Sequence, residues 1–526
     1  RPAGCSSRPL RVQTERPPAR LAAEVPGGAP PFPSAPPRPS PQPSGAPRRL
    51  SPTPSPASLR PQSAPGPRGP PPRQPMKRRL AGFPCASPES AGLSPQPLER
   101  LRAAVRHNVK ELGALSGCAH IVLHEGRCVF ACAEGQSDIE EGVRFSLDTL
   151  CPLHGATKPL VAAAFLTLVD EGRVRLADPI SKHLPFPTSV QTERGAAPQR
   201  LAAVPTMRHL LAMTAGVGYD DCHNYSKAMR QIARGSITDL KGLCDAITSA
   251  PLEFQPGRRY QYGFSADLLG YICEKVSGQS IDVFVRERLL RPLGMRDTHF
   301  AQTLPSQKRK RLAVLYVSKQ TQRTASAKQS ARGAPRPFRL SPFEPKASAP
   351  GILSCGGGVL SYADYGMVSS ARDYARFCQM LLDGGLSADG KVVLRASTVR
   401  ALWSDGLAPF QRRNGRLPGW NDAAGPGGAA SSFWDSMGWS LLNTHLVLPG
   451  APGPKPRRGS CMWMGGGGGA FWSIDAKRRL AIVSFAPGLK GRAYEEDGFG
   501  PLANDASPFA EAAVDEAKVK RRRVSP

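Results

Sequence analysis

The sequence predicts an α+β body in which hairpins near the two ends share one antiparallel sheet and the helices lie between them. Two observations carry that expectation: paired apolar β-type runs at each end, and amphipathic helical periodicities in the stretch that separates them. From Pro97 to Leu112 the apolar residues Leu98, Leu101, Val105, Val109 and Leu112 recur at helical spacing. Ala119 to Leu123 and Cys128 to Ala131 then flank His124-Glu125-Gly126-Arg127, which reads as a hairpin with a four-residue link.

Gly155-Ala156-Thr157-Lys158 opens the next helix, which tolerates Pro159 in its first turn and stops at Glu171-Gly172. A short helix is expected within Val204 to Tyr219, ending at Gly216, and a longer one from Ser265 through Leu268, Leu269, Ile272 and Val276 to Gly278. After Gly356-Gly357-Gly358, Ser369 to Gly384 gives another amphipathic helix, with Tyr374, Phe377, Leu381 and Leu382 on its apolar face. Residues 406–436, rich in Gly, Asn, Ala and Ser, read as a surface loop. Ala470 to Ile474 and Leu480 to Phe485 form the second hairpin.

Composition sets the limits around that body. The 526 residues are 40% hydrophobic, enough for a full core, yet include 55 prolines concentrated outside it. Residues 1–83 are a Pro/Ser/Arg-rich leader with no hydrophobic periodicity, expected to be disordered. The body spans 85–488 and carries a basic insertion at 302–349, expected to be solvated. Residues 489–526 read as a tail with a basic end. The leader, insertion and terminal run account for +12, +10 and +5 of the +29 net charge. The excess thus lies in low-complexity stretches and forms no folded basic face, which argues against nucleic-acid binding by the body. The tails are left as a surface for a protein partner or for weak polyelectrolyte contacts.

The twelve cysteines show no C-x-x-C pair and no zinc spacing, and several, such as Cys128, Cys273 and Cys378, sit in apolar contexts. Buried free thiols in a reducing compartment, cytoplasm or organelle, are therefore expected, with no metal and no cofactor. No apolar run reaches the roughly 18 to 20 residues that cross a bilayer. The chain starts at Arg1, so no secretory signal is read from it. Met76 is a candidate internal start, and the Arg-rich, acid-poor leader has the composition of an organelle transit segment. Lys518, Lys520, Arg521, Arg522 and Arg523 read either as a nuclear-import patch or as a solvated end.

One tetrapeptide suggests chemistry. In Ser-x-x-Lys hydrolases the two residues lie three apart at a helix start, so that both project from one face and the amine can take the hydroxyl proton. Here Lys158 holds the lysine position and Gly155 the serine position. Its surroundings extend the match: Asp148-Thr149-Leu150, Leu168-Val169-Asp170-Glu171-Gly172, Leu176-Ala177-Asp178-Pro179-Ile180, Arg208 to Gly216, Tyr260-Gln261-Tyr262 to Gly270, Arg291-Pro292-Leu293-Gly294-Met295, and Ala371 to Phe377.

On these segments, residues 85–488 resemble the serine β-lactamase-like family, in particular the class C-related esterases and D,D-peptidases. The resemblance implies an antiparallel sheet flanked by helices, a mainly helical second region, and acyl transfer in the cleft between them. It places the missing nucleophile at Gly155, the lysine at Lys158, and the activating tyrosine at Tyr262, followed by the atypical Gly263-Phe264. It places the sheet-edge oxyanion motif at Met464-Gly465-Gly466, with the glycines kept and the polar or aromatic head absent. Thr157, Cys151 and His154 are weighed as stand-in groups and read as structural.

The resulting expectation is a catalytically impaired domain that binds a small ester, amide or peptide-like ligand in the inherited cleft, or serves as an interaction protein. The alternative is a residual esterase or amidase using an unrecognised nucleophile, or water held between Lys158 and Tyr262.

Overall fold

The computed structural model describes residues 83–111, 113–219, 223–319, 339–342, 354–356, 366–407, 437–448, 460–465, 469–487 and 507–524, all within the unit Arg73–Pro526. The leader lies outside them but for Phe83, as do Leu112, Gly357, Gly358, Gly466 and most of the 406–436 stretch.

The chain enters through α1 (Pro95–Arg106), whose first residue is proline, where no intrahelical N–H is needed. A π-type turn over His107–Glu111 continues it. Strands β1 (Gly117–His124) and β2 (Arg127–Asp138) follow. Their link is only Glu125-Gly126, both at positive φ (49° and 74°), the two-residue turn whose twist matches a hairpin. Short strands β3 (Val143–Arg144) and β4 (Cys151–Pro152) lead to the central helix α2 (Thr157–Asp170). Thr157 to Leu168 are buried on every side, as expected of a helix apolar all round.

The second region holds the ribbon β5 (Ser189–Val190) and β6 (Gln199–Arg200) and five helices: α3 (Met207–Leu211), α4 (Ser226–Ala233), α5 (Leu240–Thr248), α6 (Ser265–Ser277) and α7 (Ile281–Val285). α6 stops at Gly278, φ 74°, as expected. α3 is a five-residue piece of the longer stretch anticipated there. β7 (His299–Phe300), α8 (Ser306–Arg309), the hairpin β8 (Tyr316–Lys319) with β9 (Arg339–Pro342), β10 (Met367–Ser369), α9 (Ala371–Leu382) and α10 (Ala396–Leu402) come next. β11 (Met437–Ser440), β12 (Thr444–Val447), β13 (Cys461–Gly465), β14 (Ala470–Asp475), β15 (Leu480–Phe485) and α11 (Ser507–Val524) complete the chain.

Among the described residues, eight strands form one sheet in the order β11-β12-β13-β14-β15-β1-β2-β3. The two terminal hairpins do share it: β1 pairs antiparallel with β15, placing Ile121 opposite Val483. α9 packs on β15 and β1, and α2 packs on α6.

Two boundaries need correction. The proposed solvated insertion at 302–349 begins too early. Leu304, Ala313, Leu315 and Tyr316 are buried, and Arg311 pairs with Asp297 at 2.7 Å while donating to Asp148 O. The lysines and arginines around them masked short apolar anchors. The proposed tail 489–526 contains α11, whose Ala510, Ala513 and Val514 are buried where it packs on α1. Arg478 reaches it through Asp515 at 2.7 Å. Small alanines gave a weak periodic signal beside the conspicuous basic run.

Candidate active site

Gly155 lies in a 3-10 turn, His154–Ala156, immediately before α2. The turn is fastened at the end that runs into α2. Tyr374 Oη donates to Ala156 O at 3.0 Å, and Met367 N donates to Thr157 Oγ1 at 3.0 Å. His154 adopts φ 45°, a left-handed conformation uncommon for a side-chain-bearing residue. The rigid turn presents Gly155 and Lys158 to the region between sheet and helices.

Lys158 is fully buried. Its ammonium donates to Gly356 O and lies 4.3 Å from the Tyr262 ring centroid, 5.6 Å from Tyr219 and 6.0 Å from Trp463. Electron-rich ring faces offset part of the cost of taking the charge out of water. Gly356 is held from its other side by Asp267, whose Oδ1 accepts from Cys355 N at 2.8 Å and Gly356 N at 3.0 Å. Burial raises the Asp267 carboxyl above its ordinary pKa, against the Gly356 hydrogen bond and the Lys158 charge. A Cβ on Gly356 would come within 2.6 Å of Asp267 Oδ2, so only glycine permits this approach.

Tyr262 precedes α6 and stacks edge-on against Tyr219 (5.5 Å) and Trp439 (6.2 Å). Burial, reinforced by Asp267, pushes its phenol well above the usual value. At neutral pH it is a proton donor and not a phenolate base. The atypical Gly263 has a steric reason, because a Cβ there would meet Val217 O at 2.3 Å and Gly218 Cα at 2.8 Å. Phe264 is buried edge-to-face on Tyr219 at 4.9 Å. The departures after Tyr262 therefore follow the packing against residues 217–219, backbone for Gly263 and the Tyr219 ring for Phe264.

The residue that reaches Gly155 from the sheet is Trp463. A Cβ placed on Gly155 would lie 2.2 Å from Trp463 Cζ2, 2.9 Å from its Cη2 and 2.9 Å from Tyr262 Oη. Real Cβ contacts essentially never fall below 3.0 Å. Trp463 is 5% exposed, with its ring 6.4 Å from Tyr262 and 5.7 Å from His445. His445 is half-buried and desolvation lowers its pKa to about 4, so it is neutral near pH 7. Behind it, Trp439 Nε1 donates to Leu211 O at 3.2 Å.

This corrects the placement of the sheet-edge motif. The sequence reading left the aromatic head absent at Met464, whereas the indole that the structure brings to Gly155 stands one residue earlier, at Trp463. Side chains alternate along a strand, so Trp463 and Gly465 share one face of β13, while Met464 pairs with Phe471 at the alternate position. A two-residue period read back from Gly465 would have found it. Asp267 was also missed as a site residue, although an acid inside the apolar start of α6 was the available signal.

The stand-in groups are engaged or unsuited. The Thr157 hydroxyl accepts from Met367 N. The Cys151 thiol is pushed up by burial. His154 is buried and lowered to about 4, by burial first and then by Lys158. Among the described residues no group of three or more His, Cys, Asp or Glu could hold a metal ion, and no helix is long and apolar enough to cross a membrane.

An antiparallel sheet flanked by helices, with a lysine at the head of a buried central helix and a tyrosine facing it from the second region, is the architecture of the β-lactamase and transpeptidase-like proteins. The chain belongs to the β-lactamase family, whose profile matches residues 105–499. It is similar to esterase EstB of Burkholderia gladioli, 29% identical over 406 residues that cover 74% of this chain and 88% of EstB. Among solved structures it resembles EstCE1, described as a hydrolase with promiscuous acyltransferase activity, at 19% identity and TM-score 0.57, covering 80% of this chain and 99% of that one. It also resembles simvastatin synthase (LovD) from Aspergillus terreus, at 20% identity and TM-score 0.58, covering 80% and 98%. At those identities the two structures speak for the fold alone.

Proposed function

We propose that this β-lactamase-related domain is catalytically impaired and that its cleft serves to bind a small ester, amide or peptide-like ligand without turning it over. One observation carries the reading: residue 155 has no hydroxyl, and a Cβ placed there would lie 2.2 Å from Trp463 Cζ2, so a serine would have to displace the indole or the turn. Loss of a catalytic serine alone costs on the order of 10⁶ in kcat, about 8 kcal/mol. Lys158 and Tyr262 supply charge and a proton but no nucleophile. The ligand class rests on family kinship and on the word esterase in the name of EstB.

The test uses the natural chain with p-nitrophenyl acetate, following both product release and tryptophan fluorescence. A saturable fluorescence change without turnover above that of the Lys158→Ala variant supports the reading. Saturable turnover that Lys158→Ala abolishes contradicts it.

A further inference from the structure

We propose that Cys85 and Cys128 form a reversible disulfide that clips the segment leading into α1 to the outer side of β2. Residues 84–86 run parallel to β2 there. Cys128 N donates to Pro84 O at 2.9 Å and Ala86 N donates to Cys128 O at 3.0 Å, which sets Cys85 directly opposite Cys128. Neighbouring strands lie about 4.7–4.9 Å apart, inside the Cα separation of about 4.4–6.8 Å that a disulfide spans. Burial first, and then the Cys85 sulfur, pushes the Cys128 thiol up to about 12, while Cys85 Sγ donates to Phe83 O at 3.7 Å and Cys128 Sγ to Phe130 O at 3.5 Å.

Accessibility assigns the roles. Cys128 is 1% exposed whereas Cys85 is half-buried, so an oxidant meets Cys85 first. With a hydroperoxide as oxidant, the Cys85 thiolate attacks the peroxide O–O bond, giving a sulfenic acid and, from hydrogen peroxide, one water. The Cys128 sulfur then attacks the Cys85 sulfur. The sulfenic hydroxyl leaves with the Cys128 proton as a second water, so two thiols and one peroxide become one disulfide and two waters. A dithiol returns two electrons and two protons and restores both thiols.

Register sets the pair apart from the other two cysteines of the hairpin. On the same hairpin Cys132 lies opposite His120 and Cys118 opposite Glu134, so Cys118 and Cys132 are diagonal neighbours. Diagonal positions are about 7–8 Å apart, beyond what a disulfide bridges without backbone movement. All ten described cysteines are free thiols in this structure. In that reduced state the bridge holds the entering segment by two hydrogen bonds, and oxidation adds a covalent link at the same point.

The experiment exposes the full-length chain to hydrogen peroxide, blocks remaining thiols with N-ethylmaleimide, and maps peptides without reduction. The expected first disulfide joins the Cys85 peptide to the Cys128 peptide and disappears with dithiothreitol. Thermolysin cleavage between residues 83 and 94 is expected to slow several-fold on oxidation, and Cys85→Ser loses both effects. Should Cys128→Ser fail to fold, Cys85→Ser at the half-buried position still carries the test. Recovery of Cys85 as a maleimide adduct or sulfonic acid with no cross-link, or Cys118–Cys132 forming at the same dose, overturns the proposal.

Discussion

The Trp463 indole stands where a side chain on residue 155 would begin, its Cζ2 2.2 Å from the Cβ that Gly155 lacks. The two residues are complementary: a glycine at the head of α2 admits the ring, and the ring closes the space above the glycine. A serine-to-glycine change alone would leave a vacancy that one oxygen could refill. In this pairing the vacancy is filled by the protein itself.

Gly155→Ser is therefore expected to destabilise the chain and not to awaken it. The new Cβ forces the buried indole or the fastened 154–158 turn to move, at an overpacking cost of about 1–3 kcal/mol. Urea denaturation of the variant against the natural chain measures it, and an unchanged midpoint argues against the contact.

Gly263→Ser, which recreates the more usual residue after Tyr262, is expected to destabilise as well, by about 1–3 kcal/mol. Its Cβ meets backbone atoms, Val217 O and Gly218 Cα, which give less readily than a side chain. The same denaturation series reads the effect, and a neutral result would mean that the 217–218 backbone shifts freely.

Stability is expected to fall on acidification through the window set by three desolvated histidines. His445 has its pKa lowered to about 4 from 6.5, so between those values the unfolded chain binds a proton that the folded chain does not. Its contribution is present above about pH 6.5 and is lost as pH falls towards about 4. His120 and His154, also lowered to about 4, act in the same direction. Asp373, raised to about 6, acts oppositely, its contribution being lost as pH rises through that value. The His445→Phe variant should flatten the dependence by about 1.4 kcal/mol per pH unit in the acidic window. Urea midpoints at several pH values test this.

Docking of α11 should contribute measurably to the body. Ala513→Asp puts a carboxylate on the face packed on α1 and is expected to cost about 2–4 kcal/mol. Lys518→Ala, at an exposed position of the same helix, should stay within about 0.5 kcal/mol. Equal effects of the two would show that the helix is not held.

The long periodic elements were legible in the sequence because burial on one face or on all faces leaves a pattern. α2, α6, α9 and the two terminal hairpins fall where that pattern placed them. Lys158 and Gly155 were legible because their flanking segments carry the family resemblance. The strands β11 to β13 were not, since Gly/Pro-rich stretches interrupt them and each is only four or five residues long. Trp463 escaped for a related reason, because its place beside Gly155 depends on strand register and on a pairing of residues some 300 positions apart, which the spacing of one motif does not encode. The role of Asp267 likewise depends on the distant Cys355 and Gly356 amides.

The most direct test is fluorophosphonate labelling of the natural chain, Gly155→Ser, Trp463→Ala and the double variant, each with and without Lys158→Ala. Labelling is expected only in the double variant, where a hydroxyl and the space for it are supplied together, and should be lost when Lys158 is removed. Labelling of the natural chain, or of Gly155→Ser to the same extent as the double variant, would contradict the claim that Trp463 closes the site.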